Sequence, residues 1–100
     1  MSLIKAVIQD ENGNSRGEAF GFSGAILPSM KDTRYSCLRF IDLYGDTVFN
    51  HLQLPFLVED LHLRLNELEK SEQVAAVRRI EELALGSLKH PHQYLKFIGD

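Results

Sequence analysis

The chain has 100 residues, 44% of them hydrophobic and 25% charged, a balance that excludes a disordered polymer and suits one globular domain over residues 1–100. Its net charge of −3 lacks the excess of Lys and Arg that phosphate neutralisation needs, which argues against nucleic acid as a partner. The lone Cys37 excludes an internal disulfide, no export signal opens the chain, and no apolar run approaches the roughly 20 residues that span a bilayer, so a cytoplasmic protein without membrane contact is expected.

Leu3 to Gln9 carries β-branched residues, and Asn12-Gly13 then supplies a type I′ hairpin turn. With Glu11 and Asn14 flanking that turn, Leu3, Val7, Phe20 and Phe22 would share one face, and Ile4, Ala6, Ile8 and Ala19 the other. Gly17, Gly21 and Gly24 predict a bulge or bend in the second strand, and Pro28 ends whatever Ala25-Ile26-Leu27 begins. Met30 to Arg34 reads as a mobile loop.

Cys37 to Ile41 and Thr47 to His51 flank Asp42 and Gly45, which predicts a second hairpin closed by a type I turn and a left-handed Gly. Pairing Phe40 with Val48 puts Leu38, Phe40, Val48 and Leu52 on the core face. Tyr35, Cys37, Arg39, Thr47, Phe49 and His51 then point outward.

Pro55 suits the first turn of a helix, Glu59 and Asp60 favour the positive end of its dipole, and Leu57, Val58, Leu61, Leu65 and Leu68 form a buried stripe. The stripe fails at Ser71 and Glu72, so the helix ends near Glu69 and Ser71 caps a second one. Val74, Val77, Ile80, Ala84 and Leu88 form its inner face. His90-Pro91 terminates it, and Gln93 to Ile98 alternates as a final strand. The expected fold is therefore α+β, an antiparallel β-sheet from two hairpins plus a C-terminal strand, covered on one face by two consecutive α-helices.

Tyr44-Gly45-Asp46-Thr47-Val48-Phe49-Asn50 and Tyr94-Leu95-Lys96-Phe97-Ile98-Gly99-Asp100 resemble runs in short, uncharacterised bacterial proteins. The resemblance implies a bacterial origin and no particular chemistry.

Several constellations invite a chemical reading. Gly21-Phe22-Ser23-Gly24-Ala25 begins like a nucleophile elbow, but the final Gly is missing and Pro28 leaves no room for the helix that should follow. His90 and His92, with His51 and His62 elsewhere and the carboxylates of Asp42 or Asp46, are candidate metal ligands. Their spacing is not diagnostic, and solvated histidines at a helix end are the simpler account. Asp42 and Asp46 bracket one turn, where Asp ordinarily bonds its own backbone. Asp60 and Arg64, four residues apart, read as a solvated helix face. No phosphate-binding loop precedes a helix, and no cofactor is expected.

Apolar surface left over after the core is assigned carries more weight. Around the first helix, Phe56 and Leu63 fall nearly opposite Leu61, among polar residues. On the hairpin's outer face Tyr35, Ile41 and Phe49 mix with Arg39, a composition closer to an interface than to a core. Association with a protein partner, or with a second copy as a homodimer, is the expected function: a non-enzymatic inhibitor, immunity-type or accessory subunit. The alternative is a small metal-dependent hydrolase or ligand-binding enzyme using the His and Asp side chains.

Overall fold

A computed structural model describes residues 3–100. The first two strands, β1 (Leu3–Asp10) and β2 (Ser15–Ser23), form the expected hairpin, but its turn is one residue longer than a type I′ turn. A type I′ turn at Asn12-Gly13 would need positive φ at Asn12, and among the described residues only Gly13 and Gly17 adopt it, with φ of 81° and 87°. Instead Asp10 N–H donates to Asn14 O at 2.9 Å and Gly13 N–H to Asp10 O at 3.0 Å, leaving a three-residue loop closed by a left-handed Gly. The Asp10 carboxylate accepts the N–H groups of Asn12 and Asn14 and holds this form of turn.

One residue of loop inverts every side chain beyond it. Ile4 lies opposite Phe22 and Ala6 opposite Phe20, so these four share the core face, and the grouping of Leu3 and Val7 with the two Phe residues is corrected. The predicted bulge is present: the register slips between Ala6 and Ile8, beside Gly17.

The second hairpin does not form. Leu38–Phe40 is a 3-10 turn, and the strand β3 (Asp46–Phe49) pairs with the last strand, β4 (Gln93–Ile98), which also pairs with β1. The sheet is antiparallel in the order β2-β1-β4-β3. The physical reason is competition for partners: β4 has an open edge beside Asp46–Phe49, while the N–H groups of Ser36, Cys37 and Leu38 are taken by a buried carboxylate described below. Thr47 and Phe49 thus stand opposite Phe97 and Leu95 on the core face, and Val48 turns outward. The expected assignment is reversed here: Phe40, Val48 and Leu52 are exposed, whereas Tyr35, Cys37 and Phe49 are buried with Leu38.

The runs Tyr44 to Asn50 and Tyr94 to Asp100 therefore lie side by side. Their ladder continues past β4, where Gly99 N–H donates to Gly45 O and Asp100 N–H to Leu43 O, both at 2.8 Å. A Cβ on Gly99 would meet backbone atoms of Leu43 and Gly45 at 2.6–2.7 Å, and backbone cannot rotate away as a side chain can. Gly99→Ala is expected to destabilise by about 1–3 kcal/mol in denaturant unfolding. An unchanged midpoint would mean that this closure is loose.

Both helices form where predicted, but the expectation that Ser71 caps the second is corrected, since Ser71 is its first helical residue. Helix α1 (Leu54–Glu67) has Pro55 in its first turn, and α2 (Ser71–Leu88) starts at Ser71, with Lys70 at the cap position and no side-chain cap bond. Helix α2 lies across β1, β2 and β4 with Val77, Ile80 and Ala84 buried, and α1 packs beside it through Leu54, Leu57 and Leu61. One contiguous core joins these residues to Ile4, Phe22, Phe49, Leu95 and Phe97. Phe97 holds Phe22 and Phe49 edge-on at centroid distances of 6.1 and 5.8 Å.

Candidate protein-binding groove

The stretch between β2 and β3 runs from Gly24 to Gly45 without a strand, and it must place its backbone polar groups somewhere other than a ladder. Helix α1 supplies the partners. Asp60, buried, accepts from the N–H of Cys37 at 2.7 Å, Leu38 at 2.9 Å and Ser36 at 3.3 Å, so its carboxylate seats the start of the 38–40 turn. One turn further on, Arg64 donates from Nε to the Ile26 carbonyl at 2.6 Å and from a terminal nitrogen to Leu27 O at 3.5 Å. The Asp60–Arg64 spacing is therefore not a solvated pair: each side chain holds one arm of the loop.

Beside them, the Tyr35 hydroxyl donates to Glu67 in a short contact, and Glu67 also meets Arg34 at 2.7 Å. Arg34 in turn donates from Nε and a terminal nitrogen to the two Asp32 carboxylate oxygens, so through Glu67 the segment expected to be mobile is tied to α1. Burial, and then the Glu67 carboxylate, push the Tyr35 phenol up to about 12, while the Tyr35 hydroxyl and Arg34 hold Glu67 below its usual range. A phenol whose folded pKa exceeds its unfolded value of about 10 contributes stability that is complete below pH 10 and disappears as pH rises towards 12. Unfolding experiments across that window are expected to show a loss in the parent that Tyr35→Phe lacks. Parallel pH curves for the two proteins would remove the buried phenol as its cause.

The anchored loop leaves a surface groove of about 450 Å³. Leu38 and Ile41 are its buried floor, and Leu27, Pro28, Met30, Phe40 and Tyr44 also line it. Three of these are large and exposed: Met30 at 69%, Phe40 at 54% and Tyr44 at 78% of their area. Arg39 lies in the same wall, its guanidinium 4.3 Å from the Phe40 ring centroid and one terminal nitrogen donating to the Met30 carbonyl at 3.2 Å. The volume is in the range of pockets that accept a ligand or a few side chains.

The sequence-predicted interface residues divide. Arg39 and Ile41 reach the groove, Ile41 as floor; Tyr35 and Phe49 are core residues and are withdrawn as contact residues. Phe56 is exposed as expected, at 55%, whereas Leu63 is half-buried against the core, so the two do not form an equally open stripe. Met30, Phe40 and Tyr44 were missed. Their signal was large apolar residues in segments rich in Pro, Ser, Asp and Gly, where no periodic element has a use for them.

The candidate metal ligands are dispersed. Asp42 Oδ1 accepts its own turn's Tyr44 N–H at 2.8 Å, Asp46 pairs with Lys96 at 3.4 Å, and His62 contacts Glu81 across the two helices. His90 and His92 do line one shallow polar hollow with Asp10 and Glu11, where His92 Nδ1 lies 3.3 Å from Glu11. Among the described residues, no three His, Cys, Asp or Glu side chains come together as a metal site. Ser23 uses its hydroxyl to accept the Ala25 N–H and cap the short 24–26 turn, as a bent strand end rather than a nucleophile elbow. Among the described residues, no helix is long and apolar enough to cross a membrane.

No family model, curated protein or solved structure matches the chain.

Proposed function

We propose that this protein works by association with another protein through the groove between the 24–30 and 38–44 segments, and not by catalysis. The observation that carries the reading is the clustering of Met30, Phe40 and Tyr44, exposed around an apolar floor that α1 holds in place. Isolated exposed apolar residues are ordinary, but three large ones around one depression have the composition of an interface centre, with an Arg beside the aromatics. Preorganisation adds to this. Because Asp60 and Arg64 fix the two walls, a partner does not have to order the loop on binding, and less of the contact energy is lost.

Photo-crosslinking tests the reading. A benzophenone amino acid at position 40 is expected to give a discrete adduct in cells, and the same group at Glu82, exposed on α2, is expected to give none. Adducts of equal yield from both positions, or none from position 40, would overturn it. Light scattering of the purified chain then separates a second copy from a different partner: mass rising with concentration, and suppressed by Phe40→Glu, identifies self-association.

A further inference from the structure

Arg39 says more about the occupant than the apolar residues do. Its Nε is buried and meets no acceptor among the described residues, and its other contacts are the Met30 carbonyl and the Phe40 ring. Arg16, Arg34, Arg64 and Arg79 each meet a carboxylate; among the described residues Arg39 and Arg78 pair with none, and of these two Arg78 stands exposed on α2 while Arg39 is half-buried in the groove wall. Asp42 lines the same groove, but its carboxylate is engaged by the Tyr44 N–H of its own turn. A guanidinium half-withdrawn from water beside apolar walls and paired with no carboxylate is complementary, through its terminal nitrogens, to a carboxylate that arrives with apolar neighbours.

We infer that the groove takes an acidic segment of a partner protein in which a Glu or Asp stands next to a large apolar side chain. The carboxylate meets Arg39 and the apolar group lies over Leu38 and Ile41. This rests on the association reading above. The net charge of −3 and the one cationic side chain among the described residues that line the groove suit one carboxylate and do not suit a polyanion such as nucleic acid. The open rim, formed by Met30 and Tyr44, suits a segment passing through.

The test uses the full chain and an array of capped hexapeptides, each with one Phe, Leu, Met or Tyr beside Glu, Gln or Lys in a Ser/Thr background. Glu peptides are expected to bind at least about tenfold more tightly than their Gln counterparts, and Lys peptides not at all, with amide shifts centred on Leu27, Phe40 and Tyr44. Arg39→Gln is expected to equalise the Glu and Gln peptides, and Arg39→Lys to retain part of the preference, both with an unchanged thermal melt. Equal affinity for Glu and Gln peptides in the parent overturns the acidic specificity while leaving the association reading intact. Absence of any groove shift with all peptides overturns the inference. Only the crosslinking outcomes, no adduct from position 40 or equal yields from positions 40 and 82, also remove the association reading, so the two failures are distinguishable.

Discussion

Phe49→Ala is expected to cost the fold about 3–5 kcal/mol, and Val48→Ala, one residue earlier, less than about 1 kcal/mol. The contrast follows from the pairing of β3 with β4. That register sends Phe49, 4% exposed, into the core against Phe97 and turns Val48 to the open face of the sheet at 42%. Truncating Phe49 removes its buried area, leaves a cavity beside Phe97 that the helices cannot fill without moving, and deletes an edge-to-face ring contact. Denaturant unfolding reads the difference directly. For a domain of this size each kcal/mol shifts the melting temperature by roughly 4–8 °C, so Phe49→Ala is expected to melt more than about 10 °C below the parent. If Val48→Ala were the more damaging change, β3 would be facing the other way, as the hairpin with Cys37–Ile41 requires, and the groove built by freeing that segment would not exist.

Asp60→Ala carries the second large effect, about 3 kcal/mol. Three backbone donors converge on this carboxylate, two of them short and buried, and the contributions of bonds that share one acceptor group do not add in full. Removing it leaves the N–H groups of Cys37 and Leu38 buried without an acceptor, and orphaned donors of this kind cost about 1–3 kcal/mol each, less where water enters, which sets the scale of the total. Asp60→Asn keeps one acceptor and turns an amide donor toward other donors, so it recovers little. Amide hydrogen exchange separates this mechanism from a general loss of stability: Ser36, Cys37 and Leu38 are expected to lose protection beyond the global change, while Leu95 and Phe97 track it. A cost below about 1 kcal/mol with unchanged exchange at 36–38 would show that the loop stands without its anchor. The same variant also tests the groove, because loosening the 38–40 turn moves Phe40 and Arg39 together.

These two sites mark where the sequence was legible and where it was not. Both helices, the last strand and the bulge at Gly17 follow from local signals. Pro55 opens α1, the apolar stripe breaks at Ser71, and Gln93 to Ile98 alternates. The first hairpin was placed correctly, but its faces depended on whether the loop holds two residues or three, and Asn12-Gly13 is compatible with both. The Asp10 carboxylate, bonding Asn12 and Asn14, selects the longer form. Around residues 35–41 the local signal was misleading: alternation of aromatic and aliphatic residues matched a strand, yet every one of those apolar groups except Phe40 packs from an irregular segment or a single 3-10 turn. The candidate site suffered accordingly, since a wrong strand exposed Tyr35 and Phe49 and hid Phe40.

The amino-acid sequence by itself determined the α+β class, the places of the first hairpin, the two helices and the last strand, and which faces of the helices are apolar, because those depend on periodicities of 2 and 3.6 that neighbours along the chain already carry. Only the tertiary structure decided which strand β3 joins, what the Asp60 carboxylate binds and where Met30, Phe40, Tyr44 and Arg39 meet. Those outcomes are competitions between partners distant in sequence: Asp46–Phe49 could pair with Cys37–Ile41 or with β4, and a carboxylate 23 residues from Cys37 settled it by taking that segment's N–H groups.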